Sequence, residues 1–358
     1  MRTRLVSAIA VVLTTGTFTA AIAHEGLPSD YNFRDDIRPI FVKHCAGCHR
    51  PGGAGPMSLL SYSEAVPWAN SVKMQVLGEQ MPPWLPVDGV GAFRHTRSLS
   101  AAEIDILIDW TIGQTPEGEP LTADELGELE TGASAWAMEA PELVLAPDAA
   151  LVIGEDDDEI ARCLVLPTGL AQARVASAFE VKPGLPSIVR RATISLGDSC
   201  DGARPLATWL PGQGSVSLAA GRGQELPANA SLAVELLYVK GWEDEGKRLT
   251  DRTEIGVHFS DSAEAVTAMR LSESYELPDS VELLALYPEL EPDASLRVEV
   301  VRPDGSVEAI LVIEQFSPQW REKYLLAEPL LLPAGTVLRS SQSVLWIDFI
   351  ESDTAAAE

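Results

Sequence analysis

The sequence is short of several residue types on which protein chemistry often depends. Its 358 residues include four cysteines and five histidines, and 26 basic residues stand against 53 acidic ones. The formal charge of −27 repels phosphate backbones and anionic lipid, which argues against nucleic-acid binding and peripheral membrane docking. A basic protein partner or a saline habitat suits it better. After the N-terminal stretch there is no run of 18 apolar residues, so no integral membrane segment is expected once that stretch is removed. His258 is the only histidine beyond residue 95, so a multi-histidine metal site cannot be assembled in the second half. No Ser-His-Asp set, phosphate loop or paired-carboxylate motif stands out. With 46% hydrophobic and 22% charged residues, the composition is still that of a globular protein, long enough for two or three domains.

The first 23 residues read as an export signal. Arg2 and Arg4 form a charged n-region, Leu5 to about Ala20 an apolar stretch, and Ala21-Ile22-Ala23 a small-x-small cleavage pattern. A soluble periplasmic protein is therefore expected, in a compartment where disulfides persist. Residues 24–115 carry two helical patterns. One runs from Phe33 to Lys43, with Phe33, Ile37, Ile40 and Phe41 on one face. The other starts at Ser100, with Glu103 completing a capping box, continues through Ile104, Leu107, Ile108 and Ile112, and stops at Gly113 and Pro116. Residues 116–140 read as an acidic linker. From Pro141 the pattern is β, as in Leu296, Val298 and Val300 followed by the turn Pro303-Asp304-Gly305 and a return strand Ala309 to Ile313. Leu226-Pro227-Ala228-Asn229 precedes an apolar strand ending at Tyr238, and Leu332-Pro333-Ala334-Gly335 precedes one ending at Trp346. Such a repeat suits two β-sandwiches of similar plan, at 141–264 and 265–352, before a tail at 353–358.

The strongest chemical signal is Cys45-Ala46-Gly47-Cys48-His49. Two thiols at this spacing can add to the two vinyl groups of one haem, and the adjacent imidazole then reaches the iron. A redox C-x-x-C or half a zinc site is the plainer alternative. For the distal iron ligand Met81 is the candidate, because Met81-Pro82-Pro83-Trp84 holds a thioether on an extended segment. Met74, Met57 and His95 are rivals; Met74 suits core packing, and His44 reads as a solvent-side residue. Residues 30–115 resemble a small class I cytochrome c, with helix, haem motif, Met-Pro strap and second helix in order. That resemblance implies a small all-α haem domain carrying one covalent haem c, with Cys45 and Cys48 as thioethers, His49 proximal and Met81 distal.

Residues 141–350 resemble the copper type II, ascorbate-dependent monooxygenases related to peptidylglycine hydroxylating monooxygenase. The resemblance rests on Cys163-Leu164-Val165-Leu166-Pro167, Phe179 to Gly184, Leu226-Pro227-Ala228, Asp251 to Val257, Leu296 to Ser306 and Tyr324 to Gly335. It implies two consecutive jelly-roll-like sandwiches, so the fold expected for the whole chain is multidomain, all-α and then all-β. Its copper ligands do not carry over. Arg190-Arg191 stand where the family has a His-His pair, Leu237 where it has a third histidine, and Glu289-Leu290-Glu291 where it has His-x-His. Guanidinium binds no metal, so copper is not expected. Arg190 and Arg191 are consecutive on a strand and point to opposite faces; one of them pairing inward with a carboxylate, or both lying near a strand end, fits equally. His258 suits a structural role. The Glu289/Glu291 pair and the run Glu155 to Glu159 suit solvated loops, with calcium as the sharper alternative. In an exported protein Cys163 and Cys200 are expected to form a disulfide.

The function expected from these readings is one-electron transfer with a basic redox partner, the β half serving as docking or binding scaffold. A haem- and copper-dependent monooxygenase, and a haem sensor or structural subunit of a periplasmic complex, are the alternatives.

Overall fold

A computed structural model describes residues 27–122, 124–125, 136–218, 221–342 and 345–352. The stretch read as an export signal, linker residues 123 and 126–135, and the tail lie outside them. Of the described residues 38% are in strands and 14% in helices.

Two β-sandwiches occupy most of the chain. In the first, strands Leu143–Leu145, Glu254–Phe259, Arg174–Lys182 and Arg222–Leu226 form one sheet in that order. The facing sheet runs Glu159–Pro167, Ser231–Val239, Val189–Leu196 and Arg204–Trp209. Leu226, Val234, Leu236 and Val257 are wholly buried between them. In the second, Thr267–Leu271, Leu345–Glu351, Val281–Pro288 and Tyr324–Leu332 face Ser274–Glu276, Val337–Ser340, Leu296–Val301 and Val307–Ile313. Counting these eight strands of each sandwich in chain order, both have the order 1-8-3-6 against 2-7-4-5, the double Greek key of a jelly roll. The two Leu-Pro-Ala turns fall at the same place in both, between strands six and seven. Each has its next residue in the left-handed region, Asn229 at φ 55° and Gly335 at φ 79°. In the second copy, however, the following strand ends at Ser340 and Trp346 belongs to the next one.

The expectation of a small all-α domain ahead of these sandwiches is overturned. Among the described residues only two helices exceed seven residues, Ala69–Leu77 and Ala101–Ile112. The first helical pattern is a π-helical turn at Phe33–Ile37 continued as a short α-helix, Arg38–His44. These pieces share a core of Phe33, Ile37, Phe41, Leu107 and Trp110. Between Leu77 and Leu99 no residue belongs to it. Trp84, Leu85 and Phe93 pack on the core of the second sandwich. Val87 N–H donates to the Val312 carbonyl, Arg94 N–H to Leu325, and Ala327 N–H to Ala92, each at 2.8 Å. Strands Val307–Ile313 and Tyr324–Leu332 are the edges of their sheets, so this strap covers two edges that would otherwise present unpaired backbone. Composition alone hides this, because Pro82, Pro83 and Pro86 read as a loop.

The second long helix follows its sequence signals closely. Ser100 Oγ accepts from Glu103 N–H, and the Glu103 carboxylate accepts from the Ser100 N–H. Its buried residues are Leu107 and Trp110, while Ile112 is exposed. The return strand after Pro303-Asp304-Gly305 begins at Val307 and pairs with Leu296–Val301. No helix among the described residues is long and apolar enough to cross a membrane.

Candidate functional site

The Cys45–His49 turn closes the C-terminal end of helix Arg38–His44. Cys45 N–H donates to the Phe41 carbonyl, and the N–H groups of Cys48 and His49 both return to the Cys45 carbonyl, at 3.1 and 2.9 Å. Cys45, Cys48 and His49 line one cavity of about 700 Å³, and Met81 lines the same cavity. Apolar side chains complete its helical side, among them Phe41, Leu59, Val72 and Leu107. The other side comes from the β half. The loop from Leu210 to Val216 belongs to the first sandwich, and Trp320, Glu322 and Lys323 belong to the second.

His49 Nδ1 bonds to the Met57 carbonyl at 3.2 Å. That bond makes Nδ1 the protonated nitrogen and leaves Nε2 with a lone pair and no protein partner among the described residues. Gly55 presses on the ring, since a Cβ there would stand 2.6 Å from Nδ1, so the imidazole is fixed in place. Burial lowers the proton affinity of His49. Burial, with a smaller push from Cys48, raises the Cys45 thiol to about 12. Burial also raises Cys48, against the pull of Arg190, Arg97 and Arg50. Burial thus favours the neutral form of both thiols in the chain alone, which runs against a thiolate redox centre.

These features fit a haem. The volume lies in the range of about 300–1,000 Å³ usual for ligand and cofactor pockets. Two thiols, a tautomerically fixed imidazole and a thioether border one largely apolar space.

The rival ligands separate. Met74 is 59% exposed on the outer face of its helix, neither core nor cavity wall. Met57 and His95 line the cavity; Met57 is tied to His49 through its carbonyl, and His95 sits exposed at φ 56°. His44 is not a solvent-side residue: its side chain is 5% exposed, with Nε2 3.0 Å from Glu103 and Nδ1 3.3 Å from the Arg97 carbonyl.

Where the monooxygenase resemblance would place copper ligands, other contacts stand. The pairing of Val189–Leu196 with Ser231–Val239 skips from Val189↔Tyr238 to Arg191↔Leu237, so Arg190 is the extra residue of a bulge, a device that re-aims a side chain. Arg190 reaches the Ala54 carbonyl at 2.5 Å and lines the cavity. Arg191 is buried, pairs with Glu235 at 2.5 Å and donates to the Pro318 carbonyl. The inward pairing with a carboxylate is thus the one that occurs. Leu237 is buried opposite it. Glu289 pairs with Arg270 at 3.5 Å, and Glu291 is exposed in a loop. His258 is buried against Glu180 at 2.8 Å. In the acidic run, Asp157 accepts from Gly154 N–H and Arg162, and Lys240 caps the carbonyls of Gly154 and Glu155. No group of three or more metal-ligating side chains occurs among the described residues. Cys163 and Cys200 form a disulfide, with Cα atoms 6.0 Å apart.

Compared with known proteins, the sequence matches no family model and no curated protein.

Sequence reasoning missed the β-half wall. Its central element is a part-buried ion pair, with Arg97 Nη2 at 2.5 Å and Nη1 at 3.3 Å from the Glu322 carboxylate. Arg97 Nε also donates to the Pro83 carbonyl, and its guanidinium lies 5.6 Å from the Trp84 ring. The strap that carries Met81 is thereby pinned to the second sandwich. The one signal available was local: Arg94 and Arg97 flank His95 in an otherwise acidic chain.

Proposed function

We propose that this chain is an exported c-type haem protein that transfers single electrons, its haem held between the N-terminal segment and the β half. Thioether bonds from Cys45 and Cys48 would hold the group covalently, with His49 Nε2 and the Met81 sulfur as iron ligands. The observation that carries this reading is the single cavity that Cys45, Cys48, His49 and Met81 line together. Bound there, a haem would supply a one-electron couple, and ligation by the Met81 thioether would raise its potential.

In this reading each residue of the chain has a defined task. The Met57 carbonyl and Gly55 orient the His49 ring. The Arg97–Glu322 pair anchors the strap bearing Met81, and Trp320 with the 210–216 loop keeps water from one side of the cavity. The β half, monooxygenase-like in sequence but without that family's copper ligands, serves as wall and scaffold. The charge of −27 suits a basic redox partner in the periplasm, with association that slows as ionic strength rises.

Met81→Ala tests the ligand set. The expected result is loss of the thioether-to-iron absorption band and a lower midpoint potential, with covalent haem retained. An unchanged spectrum and potential would remove Met81 from the site.

A further inference from the structure

The cavity is electropositive in a strongly acidic protein. Five basic side chains line it, Lys43, Arg94, Arg97, Arg190 and Lys323, against one acidic one, Glu322. Three of the five are neutralised by carboxylates: Lys43 by Glu103, Arg97 by Glu322 and Lys323 by Asp348. Arg94 and Arg190 have no carboxylate within ion-pair distance among the described residues. Arg94 donates to the Leu218 carbonyl at 3.1 Å. Arg190 donates to the carbonyls of Ala54 and Val239, and its buried Nε has no hydrogen-bond partner among the described residues.

A guanidinium that is partly withdrawn from water and served only by carbonyls keeps an uncompensated charge, and such a charge favours an anion placed beside it. A haem carries two carboxylates. Its site here offers two guanidiniums bonded to carbonyls and without a carboxylate partner among the described residues, each with a planar fork suited to carboxylate.

Resting on the haem reading above, the geometry points to Arg94 and Arg190 as the receptors of the two haem carboxylates. Arg190 comes from the first sandwich, through a bulge that directs it away from Arg191 and toward the haem-motif loop. Arg94 comes from the strap on the second sandwich. The β half would then be part of the haem site electrostatically as well as sterically. A positive charge beside the haem favours the reduced state, which is the more negative of the two. The bulge would thus be a means of setting the potential from outside the haem-motif segment.

The test uses the full-length, haem-loaded protein and measures midpoint potential and visible spectrum for Arg190→Gln, Arg190→Lys, Arg94→Gln and the Arg94/Arg190 double variant. The expected result is a lower potential in each Gln variant and a still lower one in the double, with the spectrum of an unchanged ligand set. Arg190→Lys restores most of the shift, a rescue that a purely packing role would not give. Arg297→Gln, which removes one charge at an exposed site, leaves the potential unchanged. If Arg190→Gln does not accumulate as folded protein, Arg94→Gln decides. Covalent haem with an unshifted potential in the Gln variants overturns this inference and leaves the haem reading standing; absence of covalent haem overturns both.

Discussion

Gly47, between the two motif cysteines, lies backbone-to-backbone against Gly212 of the first sandwich. A Cβ on Gly212 would stand 2.3 Å from the Gly47 Cα, and one on Gly47 would stand 2.8 Å from the Gly212 Cα. Gly212 also has φ 87°, so both the approach and the backbone require glycine there. The 210–216 loop is thus seated on the Cys45–His49 turn at van der Waals distance. Gly212→Ala is expected to force the two apart and to destabilise the protein by about 1–3 kcal/mol, as overpacking does. Denaturant unfolding measures this. Gly241→Ala, where an added Cβ meets nothing within 4 Å, is the control expected to change little.

The interface between the sandwiches holds a fully buried ion pair. Lys323 Nζ lies 2.5 Å from Asp348 Oδ2, with side chains 2% and 1% exposed. Lys323 also donates to the carbonyls of Pro205 and Leu206, and Gln224 donates to Asp348. Burial lowers the proton affinity of Lys323, and Asp348 opposes that. Asp348→Ala leaves a buried ammonium without its carboxylate, at an expected cost of about 3–5 kcal/mol. Replacing both partners, Lys323→Met with Asp348→Leu, is expected to recover most of that loss. A double variant as unstable as the single one would contradict this account of the interface.

Acid sensitivity should appear at Glu103. Burial pushes its carboxyl up, but hydrogen bonds from Lys43, Ser100 and His44 outweigh that and hold it at about 2, against an ordinary 4.5. The folded form therefore binds this proton less readily than the unfolded one. Its stabilisation is complete above pH 4.5 and is lost as pH falls toward 2. Glu103→Gln is expected to flatten the stability profile in that window, read by thermal unfolding at a series of pH values. Ser100→Ala, which removes the cap and one of the hydrogen bonds to this carboxylate, is expected to cost about 1 kcal/mol with a smaller change in the pH profile than Glu103→Gln.

The Cys163–Cys200 bridge spans 37 residues of sequence, which on the chain-entropy account stabilises the fold by about 3–4 kcal/mol. The Cys163→Ser/Cys200→Ser pair is expected to unfold at correspondingly lower denaturant. It should leave the haem-motif cysteines free to react, because they are separate from it.

What was legible in the sequence was local. Cys45, Cys48 and His49 sit in one turn, Ser100 and Glu103 cap one helix, and Pro303-Asp304-Gly305 joins adjacent strands, so spacing alone reveals each. The disulfide was legible because only two other cysteines exist. What was hidden depends on distant partners. Trp84 and Phe93 look like loop residues until the edges of the second sandwich are placed beneath them. Arg190 looks like a lost metal ligand until the bulge turns it toward Ala54. His44 looks solvent-facing until helix Ala101–Ile112 brings Glu103 to it. The all-α domain failed for the same reason: periodicity marked its helices, but nothing local marked the strap between them as part of the β half.

The most direct test of the account is covalent haem per chain. The full-length protein would be produced with a periplasmic haem-attachment system, and iron and haem measured before and after acid–organic extraction. The account predicts one iron and one haem per chain, both retained on extraction and lost in the Cys45→Ser/Cys48→Ser variant. A folded, disulfide-bonded protein with no haem, or with haem that extracts freely, would contradict it.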